Sequence, residues 1–131
     1  MAAYEGKQLR TTGLICGAAS LATKQFHFVK LHTDGTVIIP TAIADRPIGV
    51  LQNAPTVGQE CEICVVGQTK VSSNEALAAG DSIGTHSDGQ AAPYAVANTT
   101  VQIVGQVQAG SGAADGYAVA FVDCAGSRRI P

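Results

Sequence analysis

Two short stretches bring an imidazole and a carboxylate close together: His32-Thr33-Asp34-Gly35 and His86-Ser87-Asp88-Gly89. Their histidines lie 54 residues apart (32 to 86), and the prolines that follow, Pro40 and Pro93, lie 53 apart (40 to 93). His plus Asp is a plausible metal-ligand pair. The same residues suit the shoulder of a hairpin: Asp caps its own turn, and Asp-Gly supplies the positive φ of a type I′ turn. No further ligand stands at a useful spacing, so both units are read as turns. Ser72, Ser73 and Ser87 are nucleophile types without a paired base pattern around them. Asp34, Asp45, Asp81, Asp88 and Asp115 stand next to or near Gly or Pro, which marks them as turn formers rather than an acid–base pair.

Cys61-Glu62-Ile63-Cys64 is a C-x-x-C. On a strand, residues three apart point to opposite faces, which is poor geometry for chelation or a redox pair. No second C-x-x-C and no finger-spaced His accompanies it. The four cysteines, Cys16, Cys61, Cys64 and Cys124, allow three disulfide pairings. They are expected as reduced, buried thiols. Gly84 and Gly89 form no phosphate loop, since no helix and no Lys-Ser/Thr follow. The residues therefore point to no catalytic, cofactor or metal site, and the chain is read as a non-enzyme without cofactor.

The elements around these residues are short and turn-rich. A chain of 131 residues is one domain by length and can bury a core without staples. Aromatics are 5%, Trp is absent and Gly numbers 15, which suits thin strands rather than a deep aromatic pocket. The net charge is −2 with no basic stripe, which argues against nucleic acid as a partner. No stretch approaches the roughly 18 apolar residues of a membrane helix. Leu14 to Ala22 follows Lys7 and Arg10 and faintly imitates a signal peptide, but it is short and broken by Gly17 and Ser20.

Residues 1–24 show no clean alternation and are expected as an extended N-terminal arm, with a short strand at Leu14 to Cys16. Residues 25–124 read as a single β domain, with 125–131 as a basic tail. Within the domain, pseudo-repeats cover about 26–66 and 81–122. Gly49 and Gly105 align 56 apart (49 to 105), and Tyr117 to Val122 matches Cys61 to Val66. With Asp34-Gly35 as a two-residue turn, Leu31 would face Ile38 and Lys30 would face Ile39. Both faces of that hairpin carry apolar groups, so one is expected on the core and the other on a partner chain. Eight to ten short strands in two similar hairpin-containing halves predict an all-β fold, a small antiparallel barrel or sandwich.

Several runs carry a resemblance: Leu21 to Leu31, the Asp-Gly turn, Ile48-Gly49-Val50-Leu51-Gln52-Asn53-Ala54-Pro55, Gly67 to Val71 and Ala78-Ala79-Gly80-Asp81. Over residues 20 to 122 the chain resembles the head decoration, or capsid cement, proteins of tailed bacteriophages. The arm, the tail and the four cysteines depart from that pattern. The resemblance implies a trimer on the outer surface of an assembled head, clamping neighbouring copies of the major capsid protein. On that reading Tyr4, Leu9, Leu14 and Ile15 of the arm contact a neighbouring subunit, Phe26 and Phe28 form either a subunit contact or part of the core, and Arg128 and Arg129 pair with acidic capsid residues. A different class remains open: a small β-barrel ligand-binding or carrier-like module of a larger assembly. It lacks a lysine at a hairpin tip and an aromatic platform for sugars.

Overall fold

A computed structural model describes residues 8–95 and 100–125. Among them the chain forms nine strands and no helix: β1 (Gln8–Ile15), β2 (Phe28–Leu31), β3 (Val37–Ile38), β4 (Gly49–Leu51), β5 (Glu60–Ser72), β6 (Ser82–Thr85), β7 (Ala91–Pro93), β8 (Gly105–Ala109) and β9 (Tyr117–Asp123). The all-β, antiparallel architecture is as the sequence predicts. The main path runs β3-β2-β4-β5-β9-β8-β6-β7, with β1 on β5 off this path.

That order reads the same from both ends. A hairpin (β2–β3 or β6–β7) joins a short strand (β4 or β8), which joins one of two long central strands. The doubling goes deeper than the two hairpins. Leu14 pairs with Cys61 and Val71 with Ala118, both members shifted by 57 (14 to 71, 61 to 118). Cys16 bridges Val37 in parallel, and Ser73 bridges Ala91 the same way. The Cys16 N–H donates to Gln59 O at 2.8 Å, and the Ser73 N–H to Gly116 O at 2.9 Å. Strand β1 is therefore the first repeat's counterpart of the second half of β5. The repeats run from Gln8 to about Val66 and from there to Asp123, wider than hairpin spacing indicates. The stretch expected as an arm over residues 1–24 includes, from Gln8 to Ile15, a strand of the chain's own sheet. Strand β5 runs through Gly67 and serves both repeats: its first half pairs with β4 and β1, its second with β9.

Two buried clusters fill the interior. One gathers Phe28, Val50, Cys64, Val71, Ile83, Val107 and Ala120 with further second-repeat residues. The other holds Cys16, Leu21, Val29, Val37, Leu51, Cys61 and Ile63. Strand β2 feeds both, Phe28 into the first and Val29 into the second, at 1% and 0% exposure. Both Phe28 and Val29 are thus spent inside the chain, while Leu31, farther along the strand, stays 47% exposed. The tie between the repeats is explicit: the Phe28 N–H donates to Gly89 O, in the second turn, at 2.7 Å. At the equivalent sites Gly49 and Gly105 the neighbouring strand comes so close that an added Cβ would lie 2.5 Å from Cys64 O or Phe121 O. Glycine is what lets β4 and β8 approach.

Candidate interaction surface

The His-x-Asp-Gly units are turns, but not the turn expected. In the first, the Gly35 N–H donates to His32 O at 3.0 Å and the His32 N–H to Thr36 O at 2.8 Å. Only Gly35 has positive φ (85°), and Gly89 repeats it at 86°. This is a type I turn closed by a glycine bulge. Asp selects it: Asp34 Oδ1 accepts the Thr36 N–H at 2.9 Å, and Asp88 Oδ1 the Gln90 N–H at 3.0 Å. The extra loop residue moves the register by one, so Leu31 faces Val37 and Lys30 faces Ile38. The Thr36 hydroxyl and N–H hold the Asp34 carboxyl down at about 2.

Side-chain geometry rules out a triad here. Ser87 Oγ lies 3.4 Å and Asp88 Oδ1 3.3 Å from the same nitrogen, His86 Nδ1. A triad needs the hydroxyl on one ring nitrogen and the carboxylate on the other. Ser73 Oγ is tied to the carbonyls of Ala113 and Gly116. Among the described residues no group of three His, Cys, Asp or Glu side chains is placed to hold a metal. The four cysteines are free and buried. Burial pushes the Cys61 and Cys64 thiols up to about 11 and Cys124 up to about 12, which keeps them protonated and unreactive at neutral pH.

What the sheet does offer is an apolar outer row. Along β9, Ala118, Ala120 and Val122 point inward, leaving Tyr117 and Phe121 outward at 56% and 53% exposure. Leu9, 62% exposed, stands opposite Val66 on β5, which in turn stands opposite Asp123. Phe121 pairs with Gln68 of β5 and Gln106 of β8. The row thus runs from Leu9 and Val66, past Phe121 and Val119, to Tyr117. At that last end the Phe26 ring meets Tyr117 edge-to-face, centroids 5.7 Å apart, with Lys70 Nζ 5.8 Å from the Phe26 centroid. The described chain begins at Gln8, beside Gly67, and β9 ends at Asp123, beside Val66. Residues 1–7 and 126–131 therefore join the body at one place, the Leu9 end of the row.

The residues singled out from sequence separate accordingly. Leu9 and Ile15 are exposed on β1, while Leu14 is half-buried against the core. Phe26 is half-buried at the far end of the row, and Phe28 is a core residue rather than a surface one. Tyr4, Arg128 and Arg129 lie outside the described residues. Tyr117 and Phe121 are absent from the sequence-based set. The signal for them is the alternation of Tyr117-Ala118-Val119-Ala120-Phe121-Val122, in which small Ala residues mark the inward side.

Two hollows flank the hairpins. A 490 Å³ hollow beside the first includes Leu21, Ile38, Ile39 and Pro40 in its wall. A 330 Å³ hollow is lined by Lys24, His27, Asp88, Gln90, Asp115 and Tyr117, with Thr23 and Ser72.

No protein-family model and no curated protein matches this sequence. Among solved structures, the chain is similar to the head fiber gp8.5 N base of bacteriophage phi29, with a TM-score of 0.66 at 12% identity. The likeness covers 94% of this chain and 99% of that one, so the whole fold is shared.

Proposed function

We propose that this chain is a structural protein of a bacteriophage head, docked on the outer surface of the assembled shell and bridging neighbouring major capsid subunits. The observation that carries the reading is the whole-length fold likeness to the base of a phage head fiber, at 94% and 99% coverage. It is joined by the resemblance of residues 20 to 122 to head decoration proteins, which arises from sequence runs rather than from the fold. The exposed Leu9 and Phe121, with the half-buried Val66 between them, supply an apolar contact of the kind that marks interaction sites. Gln8 and Asp123, the described strand positions nearest the segments that carry Tyr4, Arg128 and Arg129, lie beside it. That end is the docking end, and three copies around a local threefold axis would set three such ends on adjacent subunits. Packaged DNA presses outward on a shell, and many modest clips across its seams resist separation through multivalency, with no catalytic step.

Sedimentation with heads tests this. Purified full-length protein is mixed with heads that lack it, from the phage that encodes the chain, and the pellet is assayed. The intact protein is expected in the pellet at saturable occupancy. Leu9→Ser with Phe121→Asp, both on the outer face, is expected to keep the fold and to weaken occupancy by at least about tenfold, since a few central apolar residues dominate such contacts. Full occupancy by the double variant, or no pelleting by the intact protein, would overturn the reading.

A further inference from the structure

The 330 Å³ hollow lies where the two repeats meet. Thr23, Lys24 and His27 come from the first repeat; Asp88, Gln90, Asp115 and Tyr117 come from the second. Two residues at its border adopt a backbone that side chains rarely take: Phe26 at φ 65° and Asp115 at φ 61°. Their counterparts in the other repeat are glycines in the same conformation. The Phe26 N–H donates to Leu51 O as the Gly80 N–H does to Val107 O, and Asp115 N–H donates to Ser73 O as Gly58 N–H does to Cys16 O. Gly80 and Gly58 have φ 92° and 82°. Where the fold accepts glycine, the chain holds a carboxylate that lines this hollow and an aromatic ring packed on the hollow's Tyr117. Strain kept against an available relief points to use.

The lining defines the ligand class. Gln90, 7% exposed, donates Nε2 to Asp115 Oδ1 at 2.7 Å and to Ser72 Oγ at 3.1 Å, which leaves its Oε1 as an acceptor. Asp88 and Asp115 engage these partners through Oδ1, leaving Oδ2 of each to accept more. His27 Nδ1 faces Gln25 O at 3.3 Å, so Nδ1 carries the proton and Nε2 accepts. Lys24 supplies a cationic donor and Tyr117 an exposed ring. Two carboxylates against one lysine disfavour an anion. A polar wall disfavours a hydrocarbon, and no metal-sized cluster forms among the described residues. A neutral, hydroxyl-rich ring satisfies the set: hydroxyls donate to the carboxylates, Gln90 Oε1 and His27 Nε2, accept from Lys24, and leave one ring face for Tyr117.

We infer that the hollow between Lys24, Asp88, Gln90, Asp115 and Tyr117 binds one sugar residue of a glycan, with Tyr117 as the aromatic platform that the sequence alone does not reveal. The site stands at the Tyr117 end of β9, six residues from Asp123, or about 20 Å from the docking end. It does not depend on the head reading.

The test is a titration of the full chain, followed by amide ¹H–¹⁵N spectra, with methyl glycosides of glucose, galactose, mannose and N-acetylglucosamine to about 50 mM, well above the expected dissociation constant on the order of 1 mM. At least one sugar is expected to give saturable shifts confined to residues 23–27, 72, 88–90 and 115–117. Asp115→Gly keeps the backbone conformation and removes the carboxylate. Tyr117→Ala removes an exposed ring. Each is expected to keep a native spectrum and to weaken binding at least about tenfold. No saturable shift with any sugar, sugar shifts unchanged in both variants, or shifts with calcium chloride or inorganic phosphate alone would overturn the inference.

Discussion

The two repeats share hydrogen bonds to a degree that their residues do not. At the strand that opens each hairpin, the first repeat has Phe28 opposite Val50; the second has Ser82 opposite Gln106. On the long strands the first repeat has Cys61 and Cys64 where the second has Ala118 and Phe121. Glycine closes one loop at Gly58, and Asp115 closes its twin. Backbone pairing therefore sets the doubled fold, while side chains divide the labour. The first repeat sends Phe28 inward to stitch the halves, and the second turns Tyr117 and Phe121 outward.

The largest break in this comparison is expected at high pH. Burial raises Cys61, Cys64 and Cys124 to about 11, about 11 and about 12, against 9.0 for a thiol free in water. The folded chain then holds more protons than the unfolded one above pH 9, so its stability is whole below that value and falls as pH rises toward about 12. Urea midpoints measured from pH 8 to pH 11 check this; a flat profile above pH 9 would refute it. At neutral pH the same thiols should resist a thiol reagent until the chain is unfolded.

Position 28 against position 82 comes next. Phe28→Ala is expected to lose about 3–5 kcal/mol, since it empties a site shared by both repeats. Ser82→Ala, half-buried at the twin site, should lie within about 0.5 kcal/mol of the parent. Denaturant unfolding reads both, and equal losses would show that the second hairpin stitches the halves just as strongly.

The glycine pair sharpens the symmetry. Gly49→Ala and Gly105→Ala each push a methyl onto a backbone carbonyl at 2.5 Å. Each should cost about 1–3 kcal/mol, and by similar amounts. A neutral result at either would mean that the sheet is looser there than its twin. The smallest effect is Gly58→Asp, which copies the second repeat's loop into the first. Its open surroundings leave only the conformational term, about 1 kcal/mol.

Much of this fold was legible in the sequence because turns and close approaches are local. The Asp-Gly units and the Gly49–Gly105 pair mark the doubling directly. Strand β1 was legible only at its end, near Leu14: Gln8 to Ile15 shares almost no residue types with its counterpart in β5, and only pairing reveals the match. The type I turn escaped for a different reason, since Asp34 can cap Thr36 or help form a type I′ pair, and one added loop residue decides between them. The row on β9 was visible as alternation, but naming its outer side requires knowing that Ala118 and Ala120 meet the core. The sugar hollow draws on both repeats, so no local window contains it.

One measurement bears most directly on the head reading: an electron cryo-microscopy map of decorated heads, with the chain fitted into the added density. The expected result is density on the outer surface, with Leu9, Phe121 and the adjoining termini against the shell and Tyr117 turned away from it. A fit with the Tyr117 end against the shell, or heads with no added density at saturating protein, would contradict it.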